Sequence, residues 1–174
     1  MPHPFHKLPR SPAPVLPAPA LALALVLLAW PVASLAALVV NKTQDLSFGA
    51  VVPGSSAGTV VLTAAGGRSK TGGVFLFTQT GTVQVARFTV SGGPANTVCT
   101  IGLPADGTVS VTRTGGGSMA LTAFTTDAVD SEITLDGSGN YSGGFSVGAT
   151  LNVLANQTPG SYGPNTFTVS VNCP

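Results

Sequence analysis

Four carboxylates crowd one stretch of the chain, Asp127, Asp130, Glu132 and Asp136, and they are the first place to look for chemistry. Asp136-Gly137-Ser138-Gly139-Asn140 sets side-chain oxygens at alternate positions, as a calcium-binding loop does. Tyr141, however, stands where an EF-hand needs glycine, and Val147 where it needs the bidentate glutamate, so a polar hairpin turn accounts for the segment equally well. The same carboxylates have the residue types of a glycosidase pair, but nothing else in the chain supports that chemistry. Gly67-Arg68-Ser69-Lys70-Thr71-Gly72 superficially resembles a phosphate loop. Ser69 precedes the lysine where glycine is required, and no strand-to-helix context surrounds it, so a solvated loop is the default reading.

Nucleophilic and metal chemistry has little to work with. Both histidines, His3 and His6, lie at the start of the chain, within a segment that reads as a cleaved leader. After its removal no Ser-His-Asp or Cys-His pair can form, and no imidazole is left to bind a metal. Two cysteines 74 positions apart make no zinc site. The sequence therefore implies no enzyme, no cofactor and no metal. Asn41-Lys42-Thr43, Asn140-Tyr141-Ser142 and Asn156-Gln157-Thr158 are glycosylation sequons, meaningful only in a eukaryotic secretory pathway.

The leader is expected over residues 1–36. His3, His6, Lys7 and Arg10 give a basic start, and Ala20 to Trp30 form an apolar run. Pro31 breaks that run, and Ser34-Leu35-Ala36 supplies small residues for a peptidase, with Ala37 as the next candidate site. The run is shorter than the ~20 residues a membrane span needs, and no basic stop-transfer flank follows. Seven prolines among the first nineteen residues are unusual in a signal, and the true start of translation stays open.

Residues 37–174 then form one domain carrying five basic side chains (Lys42, Arg68, Lys70, Arg87, Arg113) against six acidic ones. No basic cluster exists to neutralise phosphates, which argues against a nucleic-acid partner. Charged residues make up only 7% of the chain, and Gly, Thr, Ser and Val dominate the domain. That mixture suits short strands and tight turns and suits helices badly.

Alternation of polar and apolar residues marks the strands. Leu38, Val40, Leu46 and Phe48 share one parity, interrupted by Lys42 and Gln44. Pro53-Gly54-Ser55-Ser56 reads as a turn before a strand over 58–64, and 65–73 as a polar loop. Val74-Phe75-Leu76-Phe77 is apolar on both faces, as in a central strand or a covered edge. Parity flips between Val83/Val85 and Phe88/Val90, which places a bulge or short turn near Arg87. Cys99, Ile101 and Leu103 face one way, and residues 107–113 alternate again. Met119, Leu121 and Ala123 face one way with Phe124 opposite. Ile133 and Leu135 mark a short strand. Residues 141–147 and 149–154 read as two strands separated by Gly148. Thr166 to Cys173 alternates without a break, with Phe167, Val169 and Val171 as its core face. Nine to eleven strands near ten-residue spacing indicate an all-β, immunoglobulin-like antiparallel β-sandwich.

Cys99 and Cys173 each lie in phase with buried positions. In an oxidising compartment two such cysteines usually pair within the chain. Two free buried thiols, or an intermolecular bond through Cys173, are the alternatives.

Several short motifs in order carry a resemblance. Leu46-Ser47-Phe48-Gly49, Val52-Pro53-Gly54, Gly72-Gly73-Val74, Phe88 to Gly92, Ile101 to Pro104, Val147 to Val153, Gln157 to Tyr162 and Thr166 to Asn172 together resemble the secreted bacterial domain-of-unknown-function family numbered 4402. Cys99 and Cys173 depart from its pattern. That family has no settled biochemical activity. It looks similar to spore-coat U-like and fimbrial-subunit proteins, which implies a pilin-like structural or adhesive subunit, secreted to the periplasm or cell surface of a Gram-negative bacterium. Such a subunit meets a membrane only during export. Its implied partners are copies of itself or other pilin-like subunits, joined by strand exchange, and a periplasmic chaperone. Leu38 to Gln44, with Leu38 and Val40 as its apolar residues, is then the donor segment, and the acceptor groove runs beside the C-terminal strand. A carbohydrate-binding module in the periplasm or outside the cell is the alternative function, though the mature chain lacks tryptophan. An outer-membrane barrel is disfavoured by the missing aromatic girdles.

Overall fold

The computed structural model describes residues 37–77, 81–163 and 166–174. The leader expected over residues 1–36 lies outside them. In chain order the strands are β1 (Val39–Gln44), β2 (Ser47–Phe48), β3 (Val51–Leu62), β4 (Arg68–Leu76), β5 (Val83–Gln84), β6 (Ala86–Ser91), β7 (Val98–Gly102), β8 (Val109–Thr112), β9 (Ser118–Thr126), β10 (Glu132–Thr134), β11 (Tyr141–Val153) and β12 (Ser170–Asn172). All pairings between these strands are antiparallel. A larger sheet contains β1, β6, β11, β3 and β4, with β9 and β8 joined through β11, and a smaller sheet has the order β10-β7-β12. Their inner faces share one core, so the chain is an all-β antiparallel sandwich.

Strand β11 organises the larger sheet. Val147 pairs with Ala86 of β6 and Thr126 of β9, while Leu151 pairs with Val60 of β3 and Leu121 of β9. A strand residue has only two lateral neighbours, so β6 and β3 must follow one another along the same edge of β11, opposite β9. The two strands expected on either side of Gly148 are thus one strand of 13 residues. Glycine is needed there for closeness rather than as a break. A Cβ on Gly148 would lie 2.6 Å from the Ala64 backbone nitrogen and nearer still to the Leu62 carbonyl oxygen. Backbone cannot yield as a side chain can. Gly148→Ala is expected to destabilise the domain by about 2–3 kcal/mol, read as a lower urea midpoint at unchanged slope.

Other expectations are corrected for similar reasons. Pro53 to Ser56 forms no turn between strands but a wide bulge inside β3, where the register jumps between Pro53 and Gly58 while β4 advances by two residues. A bulge is one of the few places a sheet tolerates proline. The polar loop expected over 65–73 shrinks to a turn closed by Gly66 N–H donating to Thr63 O, and Arg68 onward belongs to β4. Side-chain bonding across the pair, Thr59 to Thr71 at 2.7 Å, supports a strand that apolar patterning did not announce.

In β9 the parity breaks after Leu121. Ala123 and Phe124 together face the single residue Ala149, a bulge in which Ala123 takes φ +46° and Asp106 Oδ1 accepts its N–H. The core face therefore passes from Leu121 to Phe124, and Ala123 is exposed. Another bulge falls at Thr43 of β1, opposite the Arg87 step of β6. The parity change expected near Arg87 falls at Val85–Ala86, both buried, between the end of β5 and the start of β6.

Candidate functional site

The carboxylates do not converge. Asp136 Oδ1 accepts the N–H groups of Ser138 and Asn140, closing a turn of its own. Asp127 Oδ1 accepts Ser146 N–H at 2.7 Å while Asp127 N–H donates to Ser146 O, so this side chain completes the β9–β11 ladder. Among the described residues no group of three metal-ligating side chains gathers. The segment expected as a phosphate-loop mimic is equally occupied. Arg68 donates from Nη1 to Phe77 O and from Nη2 to Ala50 O, tying β4 to the start of β3. Burial lowers its pKa from the ordinary arginine value.

The cysteines meet. Cys99 and Cys173 form a disulfide with Cα atoms 4.3 Å apart. The register of β12 on β7, Val171 opposite Ile101 and Asn172 opposite Thr100, places Cys173 directly across from Cys99. That Cα separation is typical of a non-hydrogen-bonded antiparallel pair. Val169 and Val171 are buried, and Phe167 is half-buried. The continuous strand expected over 166–173 is shorter: only Ser170–Asn172 pair with β7. Phe167 contributes through aromatic packing instead, edge-on to Phe88 at 6.0 Å and tilted against Phe124 at 5.1 Å.

The segment singled out for strand exchange is β1 with Leu38 before it. Leu38 and Val40 are partly buried against the core, and β1 pairs with β6 rather than beside β12. Gln44 fits its inward position by donating Nε2–H to Val85 O at 2.8 Å, while exposed Lys42 pairs with Asp45. Five strands end the two main sheets: β1, β4 and β8 in the larger one, β10 and β12 in the smaller. Among the described residues each has only one strand neighbour. Phe75 and Phe77, at the end of β4, are 58% and 50% exposed, so the apolar stretch read as central or covered is an uncovered edge.

One cleft opens at an end of the sandwich, with a volume of about 430 Å³. Its floor is Val111, Met119, Leu151 and Val153, and its walls are 47–51 with Pro53 and Gly81 on one side and 157–162 on the other. The second wall is held by Gly163 N–H donating to Thr112 O and by a bridge between Tyr162 and Arg113. No local pattern announces this cleft, because three remote segments meet to form it. The nearest signal was the Gln157–Tyr162 motif, which carried no assigned role.

Fold and site define a class: an antiparallel β-sandwich with a cross-strand disulfide, open sheet edges and an uncharged end cleft. The chain belongs to the family described as a domain of unknown function, DUF4402, which matches residues 38–173. No curated protein and no solved structure matches the chain.

Proposed function

We propose that the protein is a non-enzymatic, extracytoplasmic structural or adhesive subunit of pilin-like type that joins copies of itself or related subunits by strand exchange. The observation that carries this reading is the position of β1. Among the described residues it is an outer strand of the larger sheet with one strand neighbour, and Asp45 and Leu46 link it in the chain to β2. A strand so placed can leave its own β6 and pair with the β6 of a neighbour through the same register and the same partly buried Leu38 and Val40. The Cys99–Cys173 bridge is compatible with an oxidising compartment outside the cytoplasm. Lys42 on the exposed part of β1 fits an edge guarded against indiscriminate pairing.

Periplasmic expression with and without residues 37–44 tests this. The complete chain is expected to give detergent-resistant, heat-sensitive ladders. The truncated chain is expected to lose them and to regain stability when a peptide of sequence 37–44 is added. Monomers of equal stability in both cases would end the proposal.

A further inference from the structure

We propose that the end cleft is a binding site for a small, uncharged, mostly apolar molecule carrying one hydrogen-bond donor. This is independent of the strand-exchange reading, since none of the cleft's lining residues belongs to β1. The volume of about 430 Å³ lies within the range of small-molecule sites, ~300–1,000 Å³. Val111, Met119, Leu151 and Val153 form an apolar floor, and among the described residues no charged side chain lines the cleft. An ion entering it would lose water without gaining a countercharge.

The polar requirement comes from Gln157, which lines the cleft yet is only 8% exposed. Tyr162 donates its hydroxyl proton to Thr158 O at 2.6 Å, so toward Gln157 the same hydroxyl must accept. Ser118 O is also an acceptor. The Gln157 amide nitrogen therefore faces both, at 2.8 Å to Tyr162 Oη and 3.4 Å to Ser118 O, and both of its protons are used. The amide oxygen accepts no hydrogen bond from the described residues. The side chain thus offers an acceptor and no donor. A ligand with one N–H or O–H satisfies it, while an anion finds no countercharge on the described lining.

The test uses the protein expressed from its complete sequence and titrated with N-phenyl-1-naphthylamine, a neutral apolar probe with a single N–H. Expected are saturable one-to-one binding and carbon-13 methyl shifts concentrated at Met119, Leu151 and Val153. The anionic analogue 8-anilinonaphthalene-1-sulfonate should bind about tenfold more weakly or worse. Ser161→Trp, an exposed rim position, should weaken the neutral probe by a similar factor while leaving the urea midpoint unchanged. Shifts centred on the methyls of Val74 and Leu76, beside exposed Phe75 and Phe77, equal binding of both probes, or no saturable binding would each overturn the proposal. If Ser161→Trp fails to fold, the methyl shifts of the unaltered protein decide.

Discussion

Replacing Cys99 and Cys173 together by alanine is expected to lower the unfolding free energy by about 4 kcal/mol, the chain-entropy value for closing a loop of this length. The bridge spans 74 positions and joins two residues that already face each other across β7 and β12. It therefore restricts the unfolded chain over a large loop, and the native backbone needs no shift to reach it. The effect is concentrated at the end of the chain, because β12 has three residues and one strand neighbour. Alanine is the proper replacement: a serine at Cys99, fully buried, would add an unsatisfied hydroxyl and exaggerate the loss. Urea unfolding of the oxidised protein, the reduced protein and the double alanine variant gives the measurement, with the last two expected to agree. In heating experiments the loss corresponds to a midpoint lower by about 12 °C. A difference under about 1 kcal/mol would show that the reduced chain holds β12 in place without help.

Phe88→Ala is expected to cost about 3–5 kcal/mol, the range for deleting a buried aromatic ring. Phe88 is 4% exposed on β6 and stacks on Phe145 of β11 with ring centroids 5.4 Å apart. Its edge contact with Phe167 crosses to the segment that feeds β12, and Phe167 in turn rests on Phe124 of β9. One ring thus links the larger sheet to the segment that leads into β12, and its removal leaves a cavity between them. Phe167→Ala should cost less, because that ring is only half-buried. The double variant should fall short of the sum by about 0.5–1.5 kcal/mol, the coupling of an aromatic pair. Equilibrium unfolding of the three variants checks this; strict additivity would remove the ring contact as the cause.

Both effects bear on the proposed role. A subunit that gives up β1 to a neighbour must keep the rest of its sandwich standing meanwhile. Phe88 stands opposite Lys42 of β1 on the shared β6 ladder, but its ring packs on Phe145 and Phe167, and the disulfide ties the C-terminus to β7, so the body that remains has its own fastening.

Several parts of this arrangement were legible in the residues. The alternation at Ala86–Ser91 gives a strictly buried-exposed pattern, and Cys99 and Ile101 are buried as their parity implied. Alternation names the face of a side chain because the strand period is two. It fails wherever a bulge inserts a residue. Ala123 and Phe124 exchange places for that reason, and Pro53 to Ser56 reads as a turn because the residues that permit a bulge also permit a turn. The open edge at Phe75 was undecidable locally, since an apolar stretch looks the same whether a strand covers it or not.

By itself the sequence determined an all-β domain, two cysteines on core-facing positions and a chemistry without histidine beyond residue 36. These follow from composition and period, which are properties of neighbouring residues. Only the tertiary structure decided which strand lies beside which: that β11 serves β6 and β3 in succession, that β1 joins β6, and that Cys173 meets Cys99 in register. It alone made the cleft and brought Gln157 to its wall. The physical reason is that strand pairing and cavities depend on contacts between segments far apart in the chain, and side-chain periodicity carries no record of the partner.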